Sequence, residues 1–158
     1  MYKRILAALD GSRSAHLALE DALKLARAAD TTVMVASVVS HVSPVYDRVL
    51  GIVESEALDV AAQEAAQQEL DQARELCALS DVRAVTQIID AHGASIPSAI
   101  MQVAQAFEAD LIVMGTHGLR GVRRHLLGSV AETVLRSSRV PVLVVRDDAL
   151  DDGLAICQ

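Results

Sequence analysis

Residues 111–132 read LIVMGTHGLRGVRRHLLGSVAE, and this stretch decides the fold. Its first four residues are all apolar, which is typical of a strand buried on both faces. A loop containing Gly115, Gly118 and Gly128 follows, and residues 129–137 have the composition and spacing of a helix. A buried strand that leads through a glycine-rich loop into a helix predicts an α/β protein.

The same alternation of apolar runs and amphipathic segments extends outward from this stretch. It predicts five strands, at Ile5–Leu9, Val33–Val39, Val82–Asp90, Leu111–Met114 and Val140–Val145. It predicts four helices: one capped by Ser12 or Ser14 with an apolar stripe from Ala15 to Ala26, one over 54–79, one from Ser95 to Phe107 and one over 129–137. The apolar face predicted for helix 54–79 consists of Leu58, Ala62, Ala65, Ala66, Ala73 and Leu76. Residues 40–53 are predicted to form a loop.

This order of elements restricts the topology. Strands that are apolar throughout, with amphipathic helices between them, imply a parallel sheet covered on both faces. Right-handed crossover connections then give a doubly wound sheet of five strands. In such sheets a ligand binds beyond the carboxyl ends of the strands, where the winding reverses. The glycine-rich loop after residues 111–114 is therefore the first candidate for a binding site.

The composition suits a single domain, predicted over 1–146, and an acidic tail over 147–158. Hydrophobic residues make up 52% and aromatic residues 2%, so the core is expected to be aliphatic. The formal net charge of -7 argues against a nucleic-acid partner. Cys77 and Cys157 lack metal-binding spacing and are expected to be free thiols. Since no apolar run reaches the about 20 residues that span a bilayer and no signal peptide is visible, a soluble cytoplasmic protein without a membrane partner is expected.

The glycine-rich loop has the features of an anion site. From Leu111 to Ala131 there is no acidic residue, while the same segment contains His117, Arg120, Arg123, Arg124 and His125. Free backbone N–H groups and the dipole of the helix that starts near Ser129 favour a bound phosphate. The Ser129 hydroxyl can donate to a phosphate oxygen or meet a bound magnesium ion. The alternative is that Ser129-x-x-Glu132 is a capping box whose hydroxyl only satisfies the helix start.

The spacing fits neither a Walker A motif nor a dinucleotide-binding fingerprint. Gly115-x2-Gly118-x9-Gly128-Ser129, followed by Val130-Ala131-Glu132, resembles the G-x2-G-x9-G-S motif of the ATP-binding branch of the universal stress protein family. Further segments resemble the same family, at 5–12, 110–118, 126–132 and 141–145. The resemblance implies a Rossmann-like sheet of the adenine nucleotide alpha hydrolase type, with strand order 3-2-1-4-5.

The resemblance also implies which residues surround a nucleotide, expected to be ATP with Mg2+. At the end of the first strand these are Ala8, Leu9 and Asp10, with Asp10 beside the ribose. The second strand would supply a backbone contact to adenine from Val38. Base and sugar would be flanked by Met114 and Gly115, and the phosphates surrounded by His117, Gly118, Gly128, Ser129 and Val130. From the residues alone, Asp10 before Gly11 can also be only a turn residue, and Met114 a core residue.

The chain departs from the family pattern at two strand ends. The second strand ends in Ser37-Val38, where the family usually has His-Val, and a backbone contact from Val38 survives that change. The exit from the third strand usually reads Gly-x-Pro, whereas residues 92–97 read HGASIP and are one residue longer.

Three functions fit these observations. The first is an ATP-binding homodimer, a sensor or stress-response factor, in which the apolar edge strand Val140–Val145 pairs with a second copy. The second is an enzyme; the chain has neither an HxGH pair nor an SGGxD loop, so at most slow ATP hydrolysis is expected. The third is an interaction module without nucleotide binding, although the motif glycines are all present. AMP or a cyclic nucleotide is the alternative ligand.

Overall fold

In the computed structural model, which describes residues 1–39, 52–91, 93–116 and 127–147, strands and helices alternate along the chain. Their bounds are β1 Arg4–Leu9, α1 Arg13–Arg27, β2 Thr32–Val39, α2 Ile52–Leu79, β3 Ala84–Asp90, α3 Ile96–Ala106, β4 Leu111–Gly115, α4 Ser129–Ser137 and β5 Val142–Val145. For residues 52–58 the description is limited to the helical backbone. The predicted loop over 40–53 therefore lies mostly outside the described residues, and α2 begins at Ile52.

The five strands form one parallel sheet in the order β3-β2-β1-β4-β5. The predicted fold class and strand order are confirmed. Strand β1 lies at the centre, and Ala8 pairs with Ala36 of β2 on one side and with Met114 of β4 on the other. Because the chain continues from β1 to β2 and returns across β1 to β4, the winding reverses between β1 and β4.

The core consists of two apolar layers, one on each face of the sheet. Successive strand residues point to opposite faces, so Ile5 packs against helices α1 and α2 while Leu6 packs against α3 and α4. The α1 stripe is buried as predicted, at Ala15, Ala18, Leu19, Ala22, Leu23 and Ala26. Ser12 caps this helix and accepts a hydrogen bond from Ala15 N, which decides between the two predicted caps.

Both edge strands are shorter than predicted because backbone groups at their starts are used elsewhere. The N–H of Val82 donates to the carbonyl of Cys77 at 3.1 Å and closes the end of α2, so β3 begins only at Ala84. At the other edge Val140 is held by Ser138, whose hydroxyl donates to the Val140 carbonyl at 2.8 Å. Pro141 follows and has no N–H to donate, so β5 begins at Val142.

The apolar face predicted for α2 is only partly correct. Ala66 and Ala73 are buried together with Leu70 and Cys77, but Ala62 and Ala65 are exposed. Helix α2 has 28 residues, or about 42 Å, whereas β2 has 8 residues, or about 26 Å. The helix is longer than the strand beside it, and Ala62 and Ala65 lie on an exposed stretch of the helix. The side chain of Leu58 lies outside the described residues.

Burial also governs the chemistry of Cys77. This thiol is free, as predicted, and desolvation raises its pKa above the usual range. A buried thiol with a raised pKa is a poor nucleophile, so Cys77 acts as an apolar core residue.

In the parts of the chain that the structure describes, no helix is long and apolar enough to cross a membrane. Cys157 lies outside those parts.

Truncation of a core leucine should separate packing from helix propensity. Leu19 is 1% exposed and Leu79 is 85% exposed, and both are helical leucines. We expect Leu19→Ala to lower the free energy of unfolding by about 3 kcal/mol because it leaves a cavity. The control variant Leu79→Ala should change it by less than about 0.5 kcal/mol. Urea unfolding followed by circular dichroism measures both, and equal effects would contradict the packing described here.

Candidate functional site

The carboxyl ends of β1 and β4, where the winding of the sheet reverses, are the candidate site. The segment that leaves β4 returns to the sheet at α4, and the N–H of Gly128 donates to the carbonyl of Thr116 at 2.7 Å. The N–H of Thr116 donates in turn to the carbonyl of Val145 at 3.0 Å. The ends of the glycine-rich loop are therefore joined to each other and to β5. The loop itself, residues 117–126, lies outside the described residues, and with it His117, Gly118 and the predicted basic residues.

Asp10 forms the turn that leads from β1 into α1. Its Oδ1 accepts hydrogen bonds from the N–H of Ser12 at 3.0 Å and from the Ser12 hydroxyl at 2.5 Å. Gly11 has a φ of 78°, which this turn requires and which glycine adopts without strain. The turn interpretation of Asp10 is therefore correct. It does not exclude a second role, because the side chain is exposed and no donor from the described residues reaches Oδ2.

A buried carboxylate, Glu69 of α2, joins the ends of β1 and β2. Its Oε1 accepts a hydrogen bond from the N–H of Gly11 at 2.6 Å, and its Oε2 accepts one from the hydroxyl of Ser37 at 2.9 Å. Glu69 is 9% exposed. Sequence reasoning missed this residue. The signal was present, since Glu69 falls at helical spacing between the buried positions Ala66 and Ala73.

Helix α4 begins at a glycine. Gly128 is the N-cap residue, Ser129 is the first helical residue, and among the described residues no side chain caps this end. The capping-box alternative for Ser129 and Glu132 is therefore wrong: Glu132 pairs with Arg136 instead. The first backbone N–H groups of a helix have no partner within it. An exposed hydroxyl at Ser129 and the first amides of the helix beside it suit an anion.

A salt bridge joins the start of α1 to the segment that follows β5. Arg13, at the start of α1, pairs with Asp147 at 3.1 Å, and the Asp147 side chain is only 9% exposed. Asp147 was predicted to be the first residue of an acidic tail, and the structure ties it to α1. Residues 148–158 lie outside the described residues, so the boundary between domain and tail stays a prediction.

Comparisons with known proteins agree with this architecture. The sequence profile described as the universal stress protein family matches residues 1–146. This chain belongs to the universal stress protein family. It is 34% identical over 149 residues to universal stress protein MJ0531 of Methanocaldococcus jannaschii, a match that covers 92% of this chain and 83% of that protein.

Solved structures place this universal stress protein in the same fold. A family member from Burkholderia pseudomallei matches with a TM-score of 0.74 and 32% identity, over 91% of this chain and 96% of the other. A universal stress protein in complex with cAMP matches with a TM-score of 0.67 and 24% identity, over 91% of this chain and 97% of the other. At that identity the second likeness shows the fold alone.

Apart from Gly115, the predicted site residues that the structure describes in this universal stress protein fall into three groups. Asp10, Gly128, Ser129 and Val130 are at the carboxyl edge and are exposed or half-exposed. Val38 lies at the same edge on β2 and is half-buried. The side chains of Ala8, Leu9 and Met114 are buried in the core, at 7%, 2% and 5% exposure, so only their backbones could contact a ligand.

The third-strand exit of this universal stress protein is a tight turn. The N–H of Ala94 donates to the carbonyl of Ala91 at 2.6 Å, and Gly93 has a φ of 79°. Ser95 then caps α3, with Pro97 in its first turn. The additional residue of this exit is therefore accommodated in the turn before the helix cap. His92 lies outside the described residues.

Gly115 has a packing reason that sequence analysis did not anticipate. A Cβ on Gly115 would lie 2.3 Å from Ser14 Oγ, 2.7 Å from Ala15 N and 2.8 Å from Ser14 C. Two of these atoms belong to the backbone of α1 and cannot rotate away. The contact between the end of β4 and the start of α1 is therefore a packing reason for glycine here. The expectation that Gly115 also serves the approach of a ligand stays a prediction.

Alanine at two glycines should test this packing. Gly115→Ala forces a clash with α1, and we expect it to lower the free energy of unfolding by about 3 kcal/mol. At Gly93 nothing lies within 4 Å of the added Cβ, and only the φ of 79° resists the change. Gly93→Ala should therefore cost about 1 kcal/mol. Thermal and urea unfolding give both values, and the packing account is wrong if Gly115→Ala is the milder variant.

Proposed function

We propose that this chain binds an adenine nucleotide, ATP together with Mg2+, between the carboxyl ends of β1 and β4. The observation that carries the proposal is the start of α4: a helix end with Gly128 as N-cap, an exposed Ser129 and no side-chain cap from the part of the chain that the structure describes. It stands at the reversal of the winding, where nucleotides bind in sheets of this kind, and its glycines have the spacing of the family motif. Helix amides and dipole favour the phosphate charge.

Each end of the nucleotide would have its own protein partners. Phosphate oxygens would accept hydrogen bonds from the first amides of α4, with the Ser129 hydroxyl on a phosphate or on Mg2+. The exposed carboxylate of Asp10 would accept from a ribose hydroxyl, because its Oδ1 is already fixed by Ser12. The bound metal would offset the phosphate charge in a chain whose formal net charge is -7. Val38 would supply backbone groups to the base.

We propose further that the protein is a cytoplasmic sensor or stress-response factor and not a dedicated enzyme. At most slow ATP hydrolysis is expected. AMP or a cyclic nucleotide is the second candidate ligand, favoured by the family member solved with cAMP. An interaction module without nucleotide binding is the remaining alternative.

Nucleotide binding should depend on Gly128. Its φ of -60° and ψ of 150° are accessible to valine, so Gly128→Val should fold while its side chain blocks the helix start. We expect ATP from the denatured native protein, identified by chromatography and mass spectrometry, and none from Gly128→Val. Titration calorimetry with ATP and Mg2+ should show that Gly128→Val binds ATP at least about tenfold more weakly, a loss of about 1.4 kcal/mol in binding free energy. Ser137→Ala, at the other end of α4, is the control and should bind normally.

Each other outcome has a clear meaning. Equal binding by Gly128→Val and the native protein would move the site away from α4. Tighter binding of AMP or cAMP than of ATP would select the alternative ligand. If the native protein binds none of the three nucleotides, the interaction module becomes the leading function.

We propose that β5 pairs with the same strand of a second copy. Residues 142–145 read VLVV and form an edge of the sheet, and Leu143 is 36% exposed. An exposed apolar edge strand invites pairing with another chain. Pairing two copies along this edge would satisfy its backbone groups.

A charge on this edge should prevent dimer formation. We expect Leu143→Glu to convert a dimer into a monomer of 16.8 kDa, measured by light scattering after gel filtration. The matched control is Leu135→Glu, since Leu135 is 41% exposed but lies on α4. A dimer that survives Leu143→Glu would overturn this proposal.

A further inference from the structure

Glu69 contacts the chain neighbours of two proposed ligand-binding residues. Gly11, whose N–H donates to Oε1 at 2.6 Å, follows Asp10 in sequence. Ser37, whose hydroxyl donates to Oε2 at 2.9 Å, precedes Val38. Asp10 is the proposed ribose contact and Val38 the proposed base contact. One carboxylate therefore bridges the two strand ends that would hold the nucleoside.

The bridge is well anchored at its own end. Glu69 is 9% exposed, and on either side of it Ala66, Leu70 and Ala73 are buried against the sheet. Its position on α2 is thus set by packing, not by solvent. Leu9, the last residue of β1, pairs with Ser37 in the sheet, so Glu69 joins Ser37 to an amide two residues beyond the end of the adjacent strand. Through its two hydrogen bonds the carboxylate holds both strand ends at fixed positions relative to α2.

The contact with Gly11 acts directly on the Asp10 turn. Parallel pairing of β1 ends at Leu9, so the N–H of Gly11 is beyond the ladder. Glu69 supplies the acceptor that this amide lacks, and the φ of 78° at Gly11 is held from outside the turn. Ser12 fixes Oδ1 of Asp10 from within the turn. The two restraints together define where the exposed carboxylate of Asp10 stands.

We propose that Glu69 is a positioning residue of the nucleotide site, which sets the ribose-binding and base-binding strand ends at a fixed separation; this inference rests on the proposed function. Glu69 does not touch the ligand itself. It restricts the conformations of the Asp10 turn and of the end of β2 before the nucleotide binds. Less conformational entropy is therefore lost on binding. Its removal should weaken binding while the fold remains.

The test compares four variants of the full chain. Glu69→Ala removes both hydrogen bonds, and Ser37→Ala removes one. Glu69→Gln keeps an acceptor for Gly11 and offers an N–H to the Ser37 oxygen, so it preserves the bridge without the charge. Glu75→Ala, an exposed glutamate on the same helix, is the control. Titration calorimetry with ATP and Mg2+ gives the affinity of each, and thermal unfolding gives its stability.

The expected order of affinities follows from the hydrogen bonds that remain. Glu69→Ala should weaken ATP binding by about tenfold and Ser37→Ala by about threefold. Glu69→Gln and Glu75→Ala should stay within about twofold of the native protein. In a double-mutant cycle with Asp10→Ala, the loss from Glu69→Ala should shrink, because its effect passes through Asp10. A purely structural role would lower stability and leave both the affinity and the cycle unchanged.

A measurement without nucleotide separates the two levels of the proposal. The amide of Gly11 should exchange slowly with deuterium in the native protein and in Glu69→Gln, and quickly in Glu69→Ala. If the native protein binds ATP and folded Glu69→Ala binds it with equal affinity, the positioning role is wrong and the proposed function stands. An equal loss in Glu69→Gln and Glu69→Ala also overturns it, in favour of a charge effect. Failure of the native protein to bind any adenine nucleotide overturns the proposed function and this role with it.

Discussion

The burial of β1 on both faces, with a parallel partner along each edge, is the constraint on which the rest of the structure depends. From Ile5 to Leu9 no residue is more than 7% exposed, and the backbone is shared between β2 and β4. A strand in this position needs helices above and below the sheet, and crossovers that run to both sides. The chain therefore continues from β1 into α1 on one face of the sheet, while α4, the helix that follows β4, packs on the other face. The candidate site between the two strand ends is a product of this topology before any ligand-binding residue is considered.

The sequence predicts the features that follow from burial and fails where backbone hydrogen bonds decide. Every residue of the α1 stripe is buried as expected, because helical period and hydrophobicity report on the same property. Val82 and Val140 are apolar and adjoin strands, so pattern alone extends β3 and β5 to include them. The N–H of Val82 donates to Cys77 at the end of α2, and Pro141 has no backbone N–H. Hydrophobic pattern carries no information on where an N–H points.

The candidate site divides along the same line. Asp10 and Ser129 could be selected from sequence because each stands at a strand or helix end, next to glycine, where a local rule applies. Glu69 and the contact of Gly115 with Ser14 depend on residues far apart in the chain, since Gly11 and Glu69 are separated by 58 in sequence number. The motif predicts a ligand role for Gly115, and the structure adds a packing reason that the motif does not contain. A glutamate inside an apolar helical stripe was the one sequence signal for Glu69.

The partners of Glu69 indicate why a carboxylate stands there at all. Burial of a charged group is costly, and a nearby apolar residue would serve stability alone as well or better. An isolated amide such as that of Gly11 could be satisfied by water at the edge of a sheet. Water would not hold that amide at a fixed distance from Ser37, whereas a side chain anchored by a packed helix does. The cost of burying Glu69 is thus understandable if the geometry between the ends of β1 and β2 matters, as it would for the proposed ligand that contacts both strands.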